Sequence, residues 1–193
     1  TLITDPYADS LGLSMGSHAA DIVTISHDHP HHASSEAVEG EPRVLTGPGE
    51  YEIGDFYIIG TGTPGEQLDE GRAINTVFTI RAEGLTLCHL GDLKQRLSSG
   101  QVEDLNQADV LFVPAGGGTT IDTSSLVALI NLIGPRIVVP MHYWTEGLRV
   151  ELGPLDSFLA DMGVSEASPQ PRLNVTATNL PRDLRVVVLQ REI

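Results

Sequence analysis

Apolar residues along this chain recur in short runs, and the runs change character about halfway. "DIVTIS" (21–26) is a β-branched run bounded by polar residues, which predicts a buried strand. "RVLTG" (43–47) reads as another strand and leads into "GPGEYEIGD", a Gly-rich turn that predicts a hairpin. "FYIIGTG" (56–62) predicts a strand, and the polar stretch 64–73, "PGEQLDEGRA", predicts a loop. "NTVFTIRAEGLTLCHLGD" (75–92) reads as two strands joined at Glu83-Gly84. Thr1–Thr4 are strand-like and stop at Asp5-Pro6.

From residue 98 onward, helical spacing enters. "SSGQVEDLNQ" (98–107) predicts a short helix, with Ser98 as its cap and Gln101 in capping-box position. "ADVLFVPAGGG" (108–118) is a buried strand running into glycines, and "DTSSLVALINLIGP" (122–135) is a helix ending at Gly-Pro. "RIVVPMHY" (136–143) predicts a strand, and "PLDSFLADMG" (154–163) a helix stopped by Gly163. "RLNVTAT" (172–178) and "LRVVVLQ" (184–190) predict terminal strands. A hairpin-rich front and a β-α-β back predict an α/β fold of layered sheets with helices outside.

Composition narrows the choices. A length of 193 residues suits one domain, 1–193, and 40 % hydrophobic residues are enough for a packed core. The net charge of −15, with no Lys/Arg block, argues against nucleic-acid binding through surface charge. A small anionic substrate stays possible, because a divalent ion reverses the local field. The single cysteine, Cys88, allows no intrachain disulfide and fits a reducing compartment, so a cytoplasmic location is expected. No run approaches the roughly 18 apolar residues of a membrane span, and no signal peptide is visible. The opening residues read as the middle of something, so an earlier strand or hairpin is expected upstream of Thr1. Oligomeric state leaves no mark in the sequence.

Candidate chemistry concentrates in "SHDHPHH" (26–32). Four of the seven histidines fall within six positions, at His27, His29, His31 and His32, directly after the buried strand. Side chains at i and i+2 of an extended backbone share a side, so His27 and His29 suit one ion, and His32 suits a neighbouring one after a turn. A polar loop that happens to be rich in histidine is the alternative. Two later strands end the same way: "LCHLGDL" (87–93) on His89 and Asp92, and "VVPMHYWT" (138–145) on His142. Taken singly, Asp92 also reads as a turn or cap residue, and His142 as a satisfied histidine.

The order H-x-H-x-x-H, H-x-G-D, P-M-H-Y resembles the metallo-β-lactamase fold superfamily, most closely the branch of L-ascorbate-6-phosphate lactonase and its uncharacterised bacterial relatives. "LITDP" (2–6) and "VPAGGGTTID" (113–122) fit the same branch, and the likeness spans nearly the whole chain. It implies a four-layer αβ/βα sandwich whose first strands lie upstream of Thr1, with the site at one edge between the sheets. It also implies that His27 and His29 hold a first metal, that His32 and His142 hold a second, and that Asp92 bridges them. Asp5 and His89 then stand behind the ligands, Asp5 orienting an imidazole. One or two zinc ions are implied, with manganese or iron possible.

Two departures mark this sequence. The family motif is H-x-H-x-D-H, and here His31 replaces the aspartate. His31 either takes over its role in metal binding and proton transfer or swings out to solvent. No histidine occurs between His32 and His89, where the family places a third ligand of the first metal. Thr61, Thr63 or Glu66 occupies that region, and only Glu66 is a usual ligand. Three ligands plus water is still a catalytic zinc pattern.

Two functions remain open on the sequence. The first is a metal-dependent hydrolase of a small ester, lactone or phosphoester, in which the ion acidifies water and Asp92 and His31 handle protons. The second is a non-catalytic relative with a reduced site that binds a ligand or partner. No Gly-x-Ser-x-Gly elbow is present and Cys88 lies within a β-run, which disfavours a covalent mechanism. Gly116-Gly117-Gly118 is either an anion cradle or a tight turn. Loops 8–19, 64–73 and 144–153, with Tyr143 and Trp144, are the candidates for pocket walls.

Overall fold

Two sheets of unequal size form the core of the protein in this computed structural model, which describes residues 1–68, 71–105 and 107–191. The smaller sheet is parallel, in the order β1 (Leu2–Thr4), β3 (Ile22–Ile25), β5 (Arg43–Thr46). A separate parallel pair, β2 (His18–Ala19) and β4 (Val38–Glu39), accompanies it. The larger sheet starts with antiparallel neighbours: β6 (Gly49–Ile53), β7 (Phe56–Leu68), β8 (Gly71–Ala82) and β9 (Leu85–His89). It continues in parallel through β10 (Val110–Pro114), β11 (Ile137–Met141) and β12 (Arg185–Val186).

Parallel neighbours need crossovers. Helices α1 (Ser99–Leu105), α2 (Thr123–Ile133) and α3 (Leu155–Asp161) fall in those connections and pack on one face of the larger sheet. Leu126, Leu129, Ile130 and Ile133 of α2 meet Leu111, Val113 and Val138 there. Asp122 caps α2 by accepting a bond from the Ser125 N–H at 2.8 Å. The opposite face is covered in two parts. Ile22 and Leu45 of the smaller sheet pack on Ile58, Phe78 and Ile80, while Leu173, Val175 and Leu180 pack on Val110, Ile137 and Val139. β3 is buried on both faces, because Val23 and Ile25 meet Val38, Met15 and Ala33 on its far side. That explains an unbroken apolar run where a half-exposed strand would alternate.

The result is a layered α/β sandwich. Its outer layer over the smaller sheet carries, among the described residues, 3-10 turns at Asp9–Leu11 and Ser35–Ala37. Two sequence expectations change. The polar stretch 64–73 is strand as far as Leu68 and again from Gly71, with a register shift between Pro64 and Gln67; residues 69 and 70 lie outside the described residues. Backbone pairing in a two-stranded ribbon does not need apolar side chains, so polarity alone misread it. Residues 172–178 form no strand, although Leu173 and Val175 alternate as in one; they bury apolar groups on the sheet face between Pro169, Pro171 and Pro181. The helix expected over 98–107 spans Ser99–Leu105, and its capping box forms: Ser98 Oγ accepts from the Gln101 N–H at 3.3 Å, and Gln101 Oε1 from the Ser98 N–H at 2.9 Å. Of the terminal run 184–190, only Arg185–Val186 is strand, with an isolated bridge between Gln170 and Leu189.

Candidate metal centre

Parallel strands present their carboxyl ends on one edge, where open α/β sheets place ligands. Asp5 follows β1, His27–His32 follow β3, Asp92 follows β9, and His142 follows β11. All these ends converge on a cavity of about 1040 Å³, lined by Asp5, His27, His29, His31, His32, His89, Asp92 and His142. Two of the three non-glycine residues with a left-handed backbone among the described residues, Asp5 (φ 46°) and His142 (φ 52°), lie there. Such strain tends to collect at functional positions.

The histidine loop is folded by its own backbone. The His32 and Ala33 N–H groups both donate to the His29 carbonyl at 2.8 Å, and the Ser34 N–H ties the turn to the Pro6 carbonyl at 2.9 Å. The rings then cluster: His27 and His32 have centroids 4.4 Å apart, His32 and His142 5.3 Å, His27 and His29 5.9 Å. His31 is half-buried and meets His29 edge-on at 4.8 Å, while its N–H donates to His29 Nδ1 at 3.2 Å. Asp28 is exposed.

Asp5 organises two of these rings. Its Oδ1 accepts the Ser26 N–H at 2.7 Å, and its Oδ2 accepts the Ser26 hydroxyl at 2.5 Å and faces His32 Nδ1 at 3.1 Å. Ser26 Oγ also lies 2.9 Å from His27 Nδ1. Both rings are thereby fixed through Nδ1, which leaves each Nε2 available. Burial pushes Asp5 upward, but His89, His32 and the Ser26 hydroxyl pull harder and leave it below the ordinary carboxylate value. Ser26 was not singled out from the sequence; its only signal is its place directly before the first histidine.

Burial holds His27 and His142 neutral, each pushed down to about 4, with the Asp92 charge opposing. His31 is also lowered, chiefly by burial and then by His29. His89 is buried, and burial lowers it against the pull of Asp5. Cys88 is fully buried and its thiol is pushed up to about 12, which removes it as a nucleophile.

Asp92 is buried and held by its backbone: its N–H donates to Asn75 Oδ1 at 2.8 Å. Asn75 in turn donates to Thr63 Oγ1 at 2.9 Å and the Leu90 carbonyl at 3.1 Å. Thr63, one of the residues in the region of the missing histidine, is therefore buried and committed to this network. Glu66 is exposed and lines the cavity. Lys94, which the sequence reading passed over, donates to Asp92 Oδ2 at 2.6 Å, and the same oxygen lies 3.7 Å from His27 Nε2.

Among the described residues, three buried polar atoms at the cavity have no partner: Asp92 Oδ1, His142 Nδ1 and His89 Nδ1. Orphaned buried atoms are costly and uncommon, so their gathering here fits a bound cation. Among the described residues, one group of three ligand-type atoms lies within 4.8 Å of each other, on Asp5, His27 and His32. His29, Asp92 and His142 do not join it.

Gly116 packs against the His142 carbonyl so closely that a Cβ would overlap it, and its N–H donates to that carbonyl at 2.9 Å. The glycine run thus supports the His142 backbone, while Thr119 is the member of that loop lining the cavity. Leu11 and Leu13 from loop 8–19, Glu66 from 64–73, and Leu148, Val150 and Leu152 from 144–153 all contribute walls. Tyr143 lines the cavity, whereas Trp144 is exposed.

A sheet sandwich with a histidine-aspartate cluster at one edge defines a metallo-β-lactamase-type protein. A family model described as a beta-lactamase superfamily domain matches residues 1–142, through the last histidine of the cluster. The chain belongs to that superfamily. It is similar to a solved metallo-beta-lactamase superfamily protein of Thermotoga maritima, with 34 % identity, coverage of 97 % of this chain and 88 % of that one, and a TM-score of 0.77. A UPF0173 metal-dependent hydrolase of Lysinibacillus sphaericus is 22 % identical, covering 75 % of this chain and 78 % of its own length. Another of that description, from Carboxydothermus hydrogenoformans, is 32 % identical over 68 residues, which are 35 % of this chain and only 30 % of that protein. Among the described residues, no helix is long and apolar enough to cross a membrane.

Proposed function

We propose that this chain is a metal-dependent hydrolase of a small ester, lactone or phosphoester. The observation that carries the reading is the set of partnerless buried atoms on Asp92 and His142 beside the His27, His29 and His32 rings. His27, His29, His32, Asp92 and His142 would hold the ion or ions. Zinc, or manganese or iron in its place, supplies Lewis acidity: it acidifies water towards ~7 and polarises the scissile oxygen. Asp5 orients His32 directly and His27 through Ser26. Asp92, whose Oδ1 has no partner among the described residues, would hold the ion and orient the attacking water. His31, neutral and at the cavity wall, is placed to take a proton from that water and, once protonated, to return it to the leaving oxygen.

The walls favour an ester or lactone carrying an apolar group over a bare phosphoester. Leu11, Leu13, Leu148, Val150 and Leu152 offer aliphatic surface, and the chain's net charge of −15 disfavours dianions. The test combines metal analysis of protein purified without chelator with a screen of aryl esters, lactones and phosphodiesters. Metal uptake with metal-dependent turnover is expected. Protein that takes up no transition metal on titration overturns the reading. The Lys94–Asp92 contact favours one second reading, a reduced site in a ligand- or partner-binding relative. Metal uptake with no turnover across the screen would select it.

A further inference from the structure

Lys94 is the only lysine in a chain that otherwise uses arginine for every basic side chain. Its ammonium lies 2.6 Å from Asp92 Oδ2, inside the cavity, with the side chain only 22 % exposed. The resemblance drawn from the sequence makes Asp92 the carboxylate that would bridge two ions. One of its oxygens is therefore engaged by a cation of the protein's own, while the other, Oδ1, has no partner among the described residues. A lysine ammonium is a compact point charge, unlike the broad guanidinium fork, and is the side chain that best fits an ion-sized space.

The second departure points the same way. Thr63, in the stretch that lacks the histidine, is buried and spends its hydroxyl on Asn75. Asn75 also fixes the Asp92 N–H. The first position has thus lost a neutral ligand and gained a fixed positive charge at its shared carboxylate. A dication lodged on the same oxygen would stand directly against the ammonium, so the two compete for Oδ2.

We infer that Lys94 takes the place of one of two metal ions, so that the protein holds a single ion, with Asp92 Oδ1 left for it. Lys94 neutralises the other half of Asp92 and fixes its orientation. It is a positioning residue that sets metal stoichiometry. This rests on the metal-dependent reading above, and the test separates the two.

Metal-stripped wild-type protein is titrated with zinc, and bound metal is counted after equilibrium dialysis. One equivalent is expected in the wild type. Lys94→Met, which keeps the length and removes the charge, is expected to take up a second. A zinc-loaded wild-type crystal, which needs no variant, is expected to show one anomalous peak with Lys94 Nζ still on Asp92. Two equivalents or two peaks flanking Asp92 in the wild type overturn this inference and leave the hydrolase reading standing. A single equivalent in both proteins, with Lys94 turned away from Asp92 in the crystal, also overturns it. No bound zinc at all overturns both.

Discussion

Asp5 does more for the cluster than its distance from the histidine motif suggests. It accepts from the Ser26 N–H and hydroxyl and faces His32 Nδ1, so every donor around it needs an acceptor. Asp5→Asn would set an amide N–H against one of those donors and release a ring. Zinc affinity, measured by competition with a chromophoric chelator, is expected to fall by about 10–100-fold. His27 and His142 give a second expectation. Their folded values of about 4 lie below the ordinary 6.5, so the unfolded chain binds protons that the fold refuses. In metal-free protein their contribution is complete above pH 6.5 and is lost as pH falls from 6.5 towards 4. Thermal melts across that window are expected to drop, and the drop to shrink in a His27→Gln, His142→Gln double variant. The histidines, Asp92 and His142 were legible because ligand types are dense and each follows an apolar run. Ser26, Lys94 and Asn75 were not. Their roles lie in contacts across strands or in a charge pair two residues apart that looks like any surface pair.

Elements decide how accurately those side chains meet. The turn after β9 meets Ser26, the residue after β3, at Gly91, where φ is 59° and a Cβ would overlap Asn75 Oδ1 and come within 2.5 Å of Ser26 Cβ. Gly91→Ala is expected to lower stability by about 2 kcal/mol or more in urea denaturation and to weaken zinc binding with it. Helix α2 is a contrasting case. Leu126 is fully buried in the helix–sheet core, away from the cavity walls. Leu126→Ala is expected to cost about 2–5 kcal/mol in the same assay while leaving metal stoichiometry unchanged. The α2 boundaries were legible because an aspartate cap and a terminal glycine frame an apolar stripe. The β7–β8 ribbon beyond Pro64 was not, since its pairing is made by backbone and its residues are polar. The 172–178 segment misled in the opposite sense, with strand-like alternation used for packing rather than pairing.

Over the whole molecule, charge and connectivity matter most. With a net charge of −15, the protein repels a dianionic phosphoester at long range, and salt screens that repulsion within roughly 10 Å at 0.1 M. Its kcat/KM for such a substrate is expected to rise with ionic strength, while that for a neutral ester stays level; steady-state kinetics at two salt concentrations decide this. Connectivity has a further consequence. Asp5 and the histidine loop follow strands of the smaller sheet, whereas Asp92 and His142 follow strands of the larger one. An ion gripping both sides is a rivet between the sheets, and the smaller sheet, with strands of only three or four residues, has most to gain from it. Amide exchange over residues 1–46 is expected to quicken on metal removal while that of α2 holds. Where metal is scarce, unloaded molecules would then be the first opened to proteases, and the lifetime of the protein would follow its supply of metal.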